Sequence, residues 1–354
     1  MAWMIYGANG YTGELAAREA VGQGHSPILA GRNGGAVGRL ASELGLPSRV
    51  FSLDDPQATA VSLYGIKAVL HCAGPFVHTS APMVAACLAT GAHYLDITGE
   101  IAVFESILGR GEEAKKVGVA LLPGTGFDVV PSDCLAARLA SALPDATDLA
   151  LAFDSAGGSM SRGTLKTMLE SLPAAGAIRR NGEIVPVPVA FDVREIDFGP
   201  GTGKRWAMTI PWGDVSTAYH STGIPNVRVY SGMPPGQIRR MKRLAPFLPL
   251  AGWGPVKRLA QRWVEKRVTG PSEQVREMAR VHLWGEVRNA AGRTVTATLE
   301  TPEGYRFTAA SAVASIERVL QGTVPPGAWT PSRAFGADFV NSIPGVVAGE
   351  LRRA

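Results

Sequence analysis

Cysteine is scarce in this chain of 354 residues: there are three, Cys72, Cys87 and Cys134, odd in number and scattered. With no C-x-x-C pair, the sequence offers neither a zinc clip nor a redox dithiol, and free thiols in a reducing compartment are expected. Long apolar runs are missing as well. A transmembrane helix needs roughly 18 to 20 consecutive apolar residues, and no such stretch occurs. The start of the chain runs at once into Trp3-Met4-Ile5-Tyr6, which reads as a strand, so no signal peptide is expected and the expected location is cytoplasmic. Several catalytic signatures are also lacking: G-x-S-x-G, H-E-x-x-H, a carboxylate cluster at metal spacing, and Y-x-x-x-K after the early strands. No metal site is therefore expected. The net charge of +5, with a pI near 9.2, is too small and too dispersed for a nucleic-acid footprint, and no nucleic-acid partner is expected.

What is present is apolar residue in quantity, 46% of the chain, enough to bury the cores of two domains. The first third alternates short apolar strands with helical stretches, the pattern of a parallel sheet covered on both faces. Strands are expected at Trp3 to Tyr6, Pro27 to Ala30, Arg49 to Ser52, Ala68 to Cys72, His93 to Ile97 and Val119 to Leu122. Helices are expected at Gly13 to Gly22, Val37 to Leu44, Ala81 to Thr90 and Ala102 to Val117. Beyond Gly124 to Asp128 the rhythm changes. Val185 to Ile196, Trp206 to Ile210, Arg280 to Arg288 and Thr294 to Glu300 read as antiparallel strands, and Ala309 to Gln321 as a helix ended by Pro325-Pro326. The expected fold is α/β: a doubly wound Rossmann sheet over residues 1–130, then a second α+β domain, mostly antiparallel, over 131–305. Residues 306–354 are expected to pack back on the first domain.

Gly7-Ala8-Asn9-Gly10-Tyr11-Thr12-Gly13 lies directly after the first strand and opens the first helix. Glycine there lets the backbone turn tightly and approach a pyrophosphate, whose charge meets the positive end of the helix. Gly7, Asn9, Gly10, Tyr11, Thr12 and Gly13 are thus candidate dinucleotide contacts. The second strand ends in Gly31-Arg32-Asn33 with no carboxylate to grip a ribose 2′-hydroxyl. A guanidinium suits a 2′-phosphate instead, so Arg32, with Asn33 beside it, argues for NADPH over NADH; a solvated loop charge is the alternative reading. Arg39 on the next helix is a weaker second contact. Ala73, Gly74, Pro75 and Phe76 end the fourth strand beside the topological switch and are candidates for the ribose and nicotinamide, although Gly-Pro is also an ordinary loop breaker.

With these residues quoted, the chain resembles the saccharopine dehydrogenase-like oxidoreductases. The likeness rests on GANGYTG at 7–13, AGRN at 30–33, CAGPF at 72–76, YLDITGE at 94–100, GTGFDVVPSD at 124–133, PWGDVSTAYHSTGIPNVRVY at 211–230 and TPSRAFGADFV at 330–340. It is nearest to the branch of saccharopine reductase-like proteins and trans-acting enoyl reductases. The resemblance implies an NADP-binding Rossmann lobe and an inserted α+β lobe, and leaves the substrate open.

The cofactor carries the hydride, so the protein has to supply position, shielding and a proton. Thr98, Gly99 and Glu100 follow the fifth strand and Asp128 the sixth, so both sets can face a nicotinamide; Thr98 and Gly99 are candidate cofactor contacts, Glu100 and Asp128 candidate catalytic acids. Asp96 lies within the strand, where a purely structural role is at least as good a reading. Ser132 reads as a helix cap, with Asp133 in the first turn. Tyr219 and His220 are candidate proton donors from the second domain. Arg162, Arg179, Arg180 and Arg205 are available should the substrate be an amino-dicarboxylate. The basic stretch from Arg239 to Arg267 encloses Phe247, Leu248, Leu250 and Trp253, which suits a peripheral contact with anionic lipid or an entrance for an acyl chain; solvated helix faces around a packed loop would read the same. The leading expectation is an NADPH-dependent reductase of a C=C or C=N bond with an apolar small-molecule substrate, in a homodimer. A non-catalytic NADP-binding sensor or membrane scaffold is the alternative from another class.

Overall fold

The computed structural model describes residues 1–155, 161–171, 176–247, 253, 263, 267, 268 and 270–354. Two compact units emerge, Met1–Val130 with Tyr305–Gly336, and Pro131–Gly304 with Ala337–Ala354.

The first unit begins with β1 (Trp3–Tyr6), α1 (Tyr11–Gly22), β2 (Ile28–Gly31), α2 (Gly34–Leu44), β3 (Ser48–Val50) and α3 (Pro56–Ser62). It continues through β4 (Ala68–His71), α4 (Phe76–Thr90), β5 (His93–Asp96), α5 (Ile101–Leu108), α6 (Gly111–Val117) and β6 (Ala120–Leu122). With β15 (Gly327–Ala328) these strands form one sheet in the order β15-β6-β5-β4-β1-β2-β3, every pairing parallel. This is the doubly wound Rossmann order, whose switch point falls between β1 and β4. Both sheet faces are covered, which is why the strands read as continuous apolar runs. Trp3 and Ile5 enter one core with Leu70 and Leu95, while Met4 and Tyr6 enter the other with Val69 and Tyr94.

Local chemistry sets the helix ends. Asp55 accepts the amides of Gln57 and Ala58 and Pro56 opens the turn, making α3, a helix the sequence reading lacks. The single helix expected over Ala102 to Val117 is two, interrupted at Gly109-Arg110. The helix Gly304–Leu320 is longer than expected and buries Ala312, Val313, Ile316 and Val319 in the core beneath Ile5, Leu70 and Leu95.

The second unit opens with α7 (Val130–Ala142) and β7 (Ala146–Asp154). The strand expected over Val185 to Ile196 is two, β9 (Glu183–Val187) and β10 (Val193–Asp197), preceded by β8 (Gly176–Arg180). The unit continues with β11 (Lys204–Thr209), α9 (Asp214–Thr222), β12 (Asn226–Gly232), α10 (Pro235–Leu244), β13 (Arg280–Asn289) and β14 (Thr294–Pro302), with α8 (Arg162–Ser171) ahead of β8. Its sheet runs β10-β11-β12-β7-β13-β14-β16, where β16 is Val347–Ala348, and only β12 and β7 pair in parallel. Arg194 of β10 lies over Trp284 of β13, 4.8 Å from the ring centroid, and donates to Glu286 at 3.1 Å. The sheet therefore curls on itself and encloses Ala152, Phe198, Ala207 and Tyr230.

One expectation is corrected by pairing. The chain end does not return whole to the first unit: residues up to Gly336 do, but β16 and β17 (Arg352–Arg353) add to β14 in the second. Edge hydrogen bonds on an open strand decide this, and nothing in the sequence of so short a tail announces them.

Ile316 is 1% exposed. Ile316→Ala is expected to lower unfolding stability by about 2 to 5 kcal/mol in a urea titration, while Val117→Ala, on an exposed side chain, stays within about 0.5 kcal/mol of the parent.

Candidate active site

The C-terminal ends of β1, β2, β4, β5 and β6 bring together most of the residues singled out in the sequence. Gly7 adopts φ +82°, and a Cβ there would lie 2.8 Å from the Cβ of Ala73, so the loop after β1 meets the loop after β4 at backbone distance. At Gly13 a Cβ would stand 2.3 Å from the Gly7 carbonyl oxygen, which holds α1 close under the first strand. Gly10 caps α1 with no side-chain hydrogen bond. The positive end of this helix is thus open to an anion, and the residues fit a bound pyrophosphate. Asn9 and Gly10 are exposed and Thr12 half-buried, while the Tyr11 ring packs edge-on against Tyr305 at 5.0 Å.

Arg32 is exposed at the tip of β2. Burial pushes the Tyr6 phenol up, and the Arg32 charge is near enough to oppose that rise. The Asn33 side chain accepts the Ala36 amide and so caps α2. The Arg39 guanidinium lies close to Gly35, 3.7 Å from where its Cβ would be, which puts two guanidinium groups about the start of α2. This fits a 2′-phosphate at that strand tip.

The loop after β4 is braced on two sides. Thr79 donates to the Ala73 carbonyl at 2.6 Å, and His71 Nε2 meets the Thr79 hydroxyl at 3.0 Å. Because that hydroxyl gives its proton to the carbonyl, His71 donates from Nε2. Burial holds the imidazole neutral, down to about 3. From the other side Glu100 accepts the amides of Phe76 at 2.7 Å and Val77 at 2.8 Å, closing the N-terminus of α4 with an internal carboxylate. Gly74 is exposed and Pro75 half-buried. The Phe76 ring packs into the core, its centroid 5.4 Å from that of His71.

Asp96 joins the loops after β5 and β6. Its Oδ1 accepts the amides of Thr98 and Gly124, its Oδ2 the Tyr94 hydroxyl at 2.7 Å, and its carbonyl the amide of Thr125. Burial raises this carboxyl to about 6 in spite of its donors. Thr98 is buried and its hydroxyl accepts the Glu100 amide, so its contribution is to loop shape. Gly99 lies against Asp128: a Cβ there would come within 2.7 Å of Asp128 Oδ2. Burial pushes the Asp128 carboxyl up to about 7, so near neutral pH the protonated and ionised forms are both populated.

Two residues that sequence reasoning missed hold the segment carrying Asp128. Thr308 accepts the Phe127 amide at 3.0 Å and Ser311 donates to the Thr125 carbonyl at 2.8 Å, both from the helix Gly304–Leu320. They stand some 180 positions away from the loop they brace, and a separation of that size leaves no local signal.

Tyr219 and His220 belong to the second unit, on α9. The Arg179 guanidinium lies 4.4 Å over the Tyr219 ring, and the Tyr219 and His220 rings meet edge-on at 5.9 Å. On the facing turn, Ser132 is inside α7 rather than capping it, and its hydroxyl donates to Asp214 at 2.8 Å, while Ser221 donates to Asp133. The expected cap is corrected accordingly: the helix already starts at Val130.

Arg32→Asp is expected to reverse the cofactor preference. Calorimetry on the unchanged chain should give NADPH at least tenfold tighter than NADH, about 1.4 kcal/mol, and the variant the opposite order.

The matching family model is the saccharopine dehydrogenase NADP-binding domain, over residues 3–122. Among curated relatives, the chain is similar to a trans-acting enoyl reductase of Mycobacterium leprae, 31% identical over 138 residues, 37% of this chain and 33% of that one. It is also similar to a mouse saccharopine dehydrogenase-like oxidoreductase, 29% identical over 150 residues, 37% of this chain and 35% of that one. The chain thus spans about a third of the length of these two relatives. Among solved structures, saccharopine dehydrogenase (L-Glu forming) of Saccharomyces cerevisiae superposes with a TM-score of 0.68 at 12% identity, over 100% of this chain and 99% of that one. The homospermidine synthase of Legionella pneumophila, solved with NAD, gives 0.63 at 12%, over 100% and 91%. At that identity the likeness is one of fold. Glycine loop and strand order agree with that match: residues 3–122 are similar to the saccharopine dehydrogenase NADP-binding domain and fold as a doubly wound dinucleotide-binding sheet.

Proposed function

We propose that the chain is an NADPH-dependent reductase of an activated carbon–carbon double bond, enoyl-like, acting on an apolar or acyl substrate with Asp128 as its acid. The observation that carries this reading is Asp128: a carboxyl at the C-terminal edge of the parallel sheet, set against Gly99 and raised by burial to about 7. A general acid works best with a pKa near the working pH. The enoyl reductase name borne by relatives near 30% identity supports the C=C assignment.

The bound dinucleotide supplies a hydride. The loop after β1 and the open end of α1 would hold its pyrophosphate and Arg32 its 2′-phosphate, and the braced loops after β4 and β5 would hold the nicotinamide half. As one carbon of the double bond gains the hydride, Asp128 passes its proton to the other and is left as carboxylate, to be reprotonated from solvent. Glu100 serves position here, since both of its oxygens are bound to backbone amides.

A C=N reductase acting on an amino-dicarboxylate would need arginines to grip two carboxylates. Arg179 is 4% exposed and donates to the carbonyls of Val215 and Gly182, and Arg162 donates to that of Val268. These commitments weigh for an uncharged substrate.

The test is NADPH oxidation across a panel of enoyl thioesters, enones and imines. Turnover with an enoyl thioester is expected, with kcat falling as pH rises through about 7 because Asp128 loses its proton there. Asp128→Asn should turn over at least tenfold more slowly with no such fall, and bind NADPH as before. Tight NADPH binding with no turnover on any member of the panel overturns the proposal in favour of a sensor; turnover on imines alone moves it to C=N chemistry.

A further inference from the structure

We propose that α10, with the exposed apolar residues Leu244, Phe247, Trp253 and Trp263, forms a docking surface for an anionic phospholipid bilayer. Between Met233 and Val264 the sequence has seven Lys and Arg and not one Asp or Glu. Four of these, Arg239, Arg240, Lys242 and Arg243, sit on the single helix α10, and all four are exposed. Ile238, buried, and Met241, half-buried, are what this helix sets inward. Three cations elsewhere in this unit have acidic partners: Arg194 has Glu286, Arg228 has Asp192 and Arg293 has Asp145. Along α10 no acid is near in sequence to offset four positive charges on ten residues. Crowded like charges repel one another, and a surface of opposite sign relieves them.

A basic helix alone would fit a nucleic acid equally well. The apolar residues decide between the two. Leu244 is 50% exposed, Phe247 63%, Trp253 65% and Trp263 60%. Four large apolar side chains held in water along one basic stretch have no use on a phosphodiester backbone, but they suit the headgroup boundary of a bilayer, where tryptophan and phenylalanine enter and lysine and arginine meet lipid phosphates. Leu248, Leu250, Lys257, Arg258 and Arg262 lie outside the described residues, and the last three enter only through the charge count of the sequence. Among the described residues no helix is long and apolar enough to cross a membrane, so the contact is peripheral. This surface is independent of the proposed reaction, and its test uses no substrate.

The experiment is co-sedimentation of the full chain with vesicles of equimolar phosphatidylglycerol and phosphatidylcholine, set against vesicles of phosphatidylcholine alone. Binding is expected to the anionic vesicles, to weaken steeply with salt, and to be at least tenfold poorer on the zwitterionic ones. Reversing the four charges together (Arg239→Glu, Arg240→Glu, Lys242→Glu, Arg243→Glu) should weaken it about a hundredfold or more, each basic residue near an anionic surface adding a comparable increment. Phe247→Ser with Trp253→Ser should release the protein while leaving NADPH affinity and the melting temperature unchanged. Should the charge-reversed chain misfold, quenching of tryptophan fluorescence by brominated phosphatidylglycerol in the unchanged protein, reduced in Trp253→Phe, reports the same contact. Sedimentation of the charge-reversed chain like the parent, equal binding to both vesicle types, or displacement from anionic vesicles by a short DNA duplex bound more tightly would each overturn the proposal.

Discussion

A buried carboxylate with three hydrogen-bond donors, Asp96, is the constraint on which the C-terminal edge of the parallel sheet depends. Charge in a protein interior is costly unless hydrogen bonds replace water. Tyr94, Thr98 and Gly124 provide them, and in doing so tie the loop after β5 to the loop after β6. The Thr125 amide bound to the Asp96 carbonyl makes that tie rigid. Gly99 and Asp128 ride on the two loops so joined and approach each other closely.

The same edge holds two carboxylates in opposite surroundings. Glu100 sits on two amides at the positive end of α4, with both oxygens accepting hydrogen bonds. Asp128 is packed so that ionisation is resisted. Environment thus separates a positioning residue from a candidate acid that the sequence ranks alike.

The parallel half of the fold was legible because its signals are local. A strand, a glycine loop at Gly7 to Gly13 and a helix follow one another within twenty residues, and Arg32 stands where the absence of an acid has meaning. Runs buried on both faces, such as Trp3 to Tyr6, mark strands without any alternation. The second unit was read less well, since β7 and β12 pair in parallel across some eighty residues and the curl of the sheet rests on Arg194 meeting Trp284. At the site, the candidates came from strand ends, but their roles came from distant contacts. Thr308 and Ser311 on a helix late in the chain hold the loop of Asp128, and Phe76 turned inward because His71 and the core took its ring. No pattern of spacing encodes such partners.

The central claim is that the fold raises the Asp128 carboxyl to about 7 at the C-terminal edge of the parallel sheet. Carboxyl carbon-13 NMR with labelled aspartate, assigned through Asp128→Asn, measures this without any substrate. The account predicts a titration centred near 7 for Asp128, well above the ordinary aspartate range; a midpoint near 4 would contradict it.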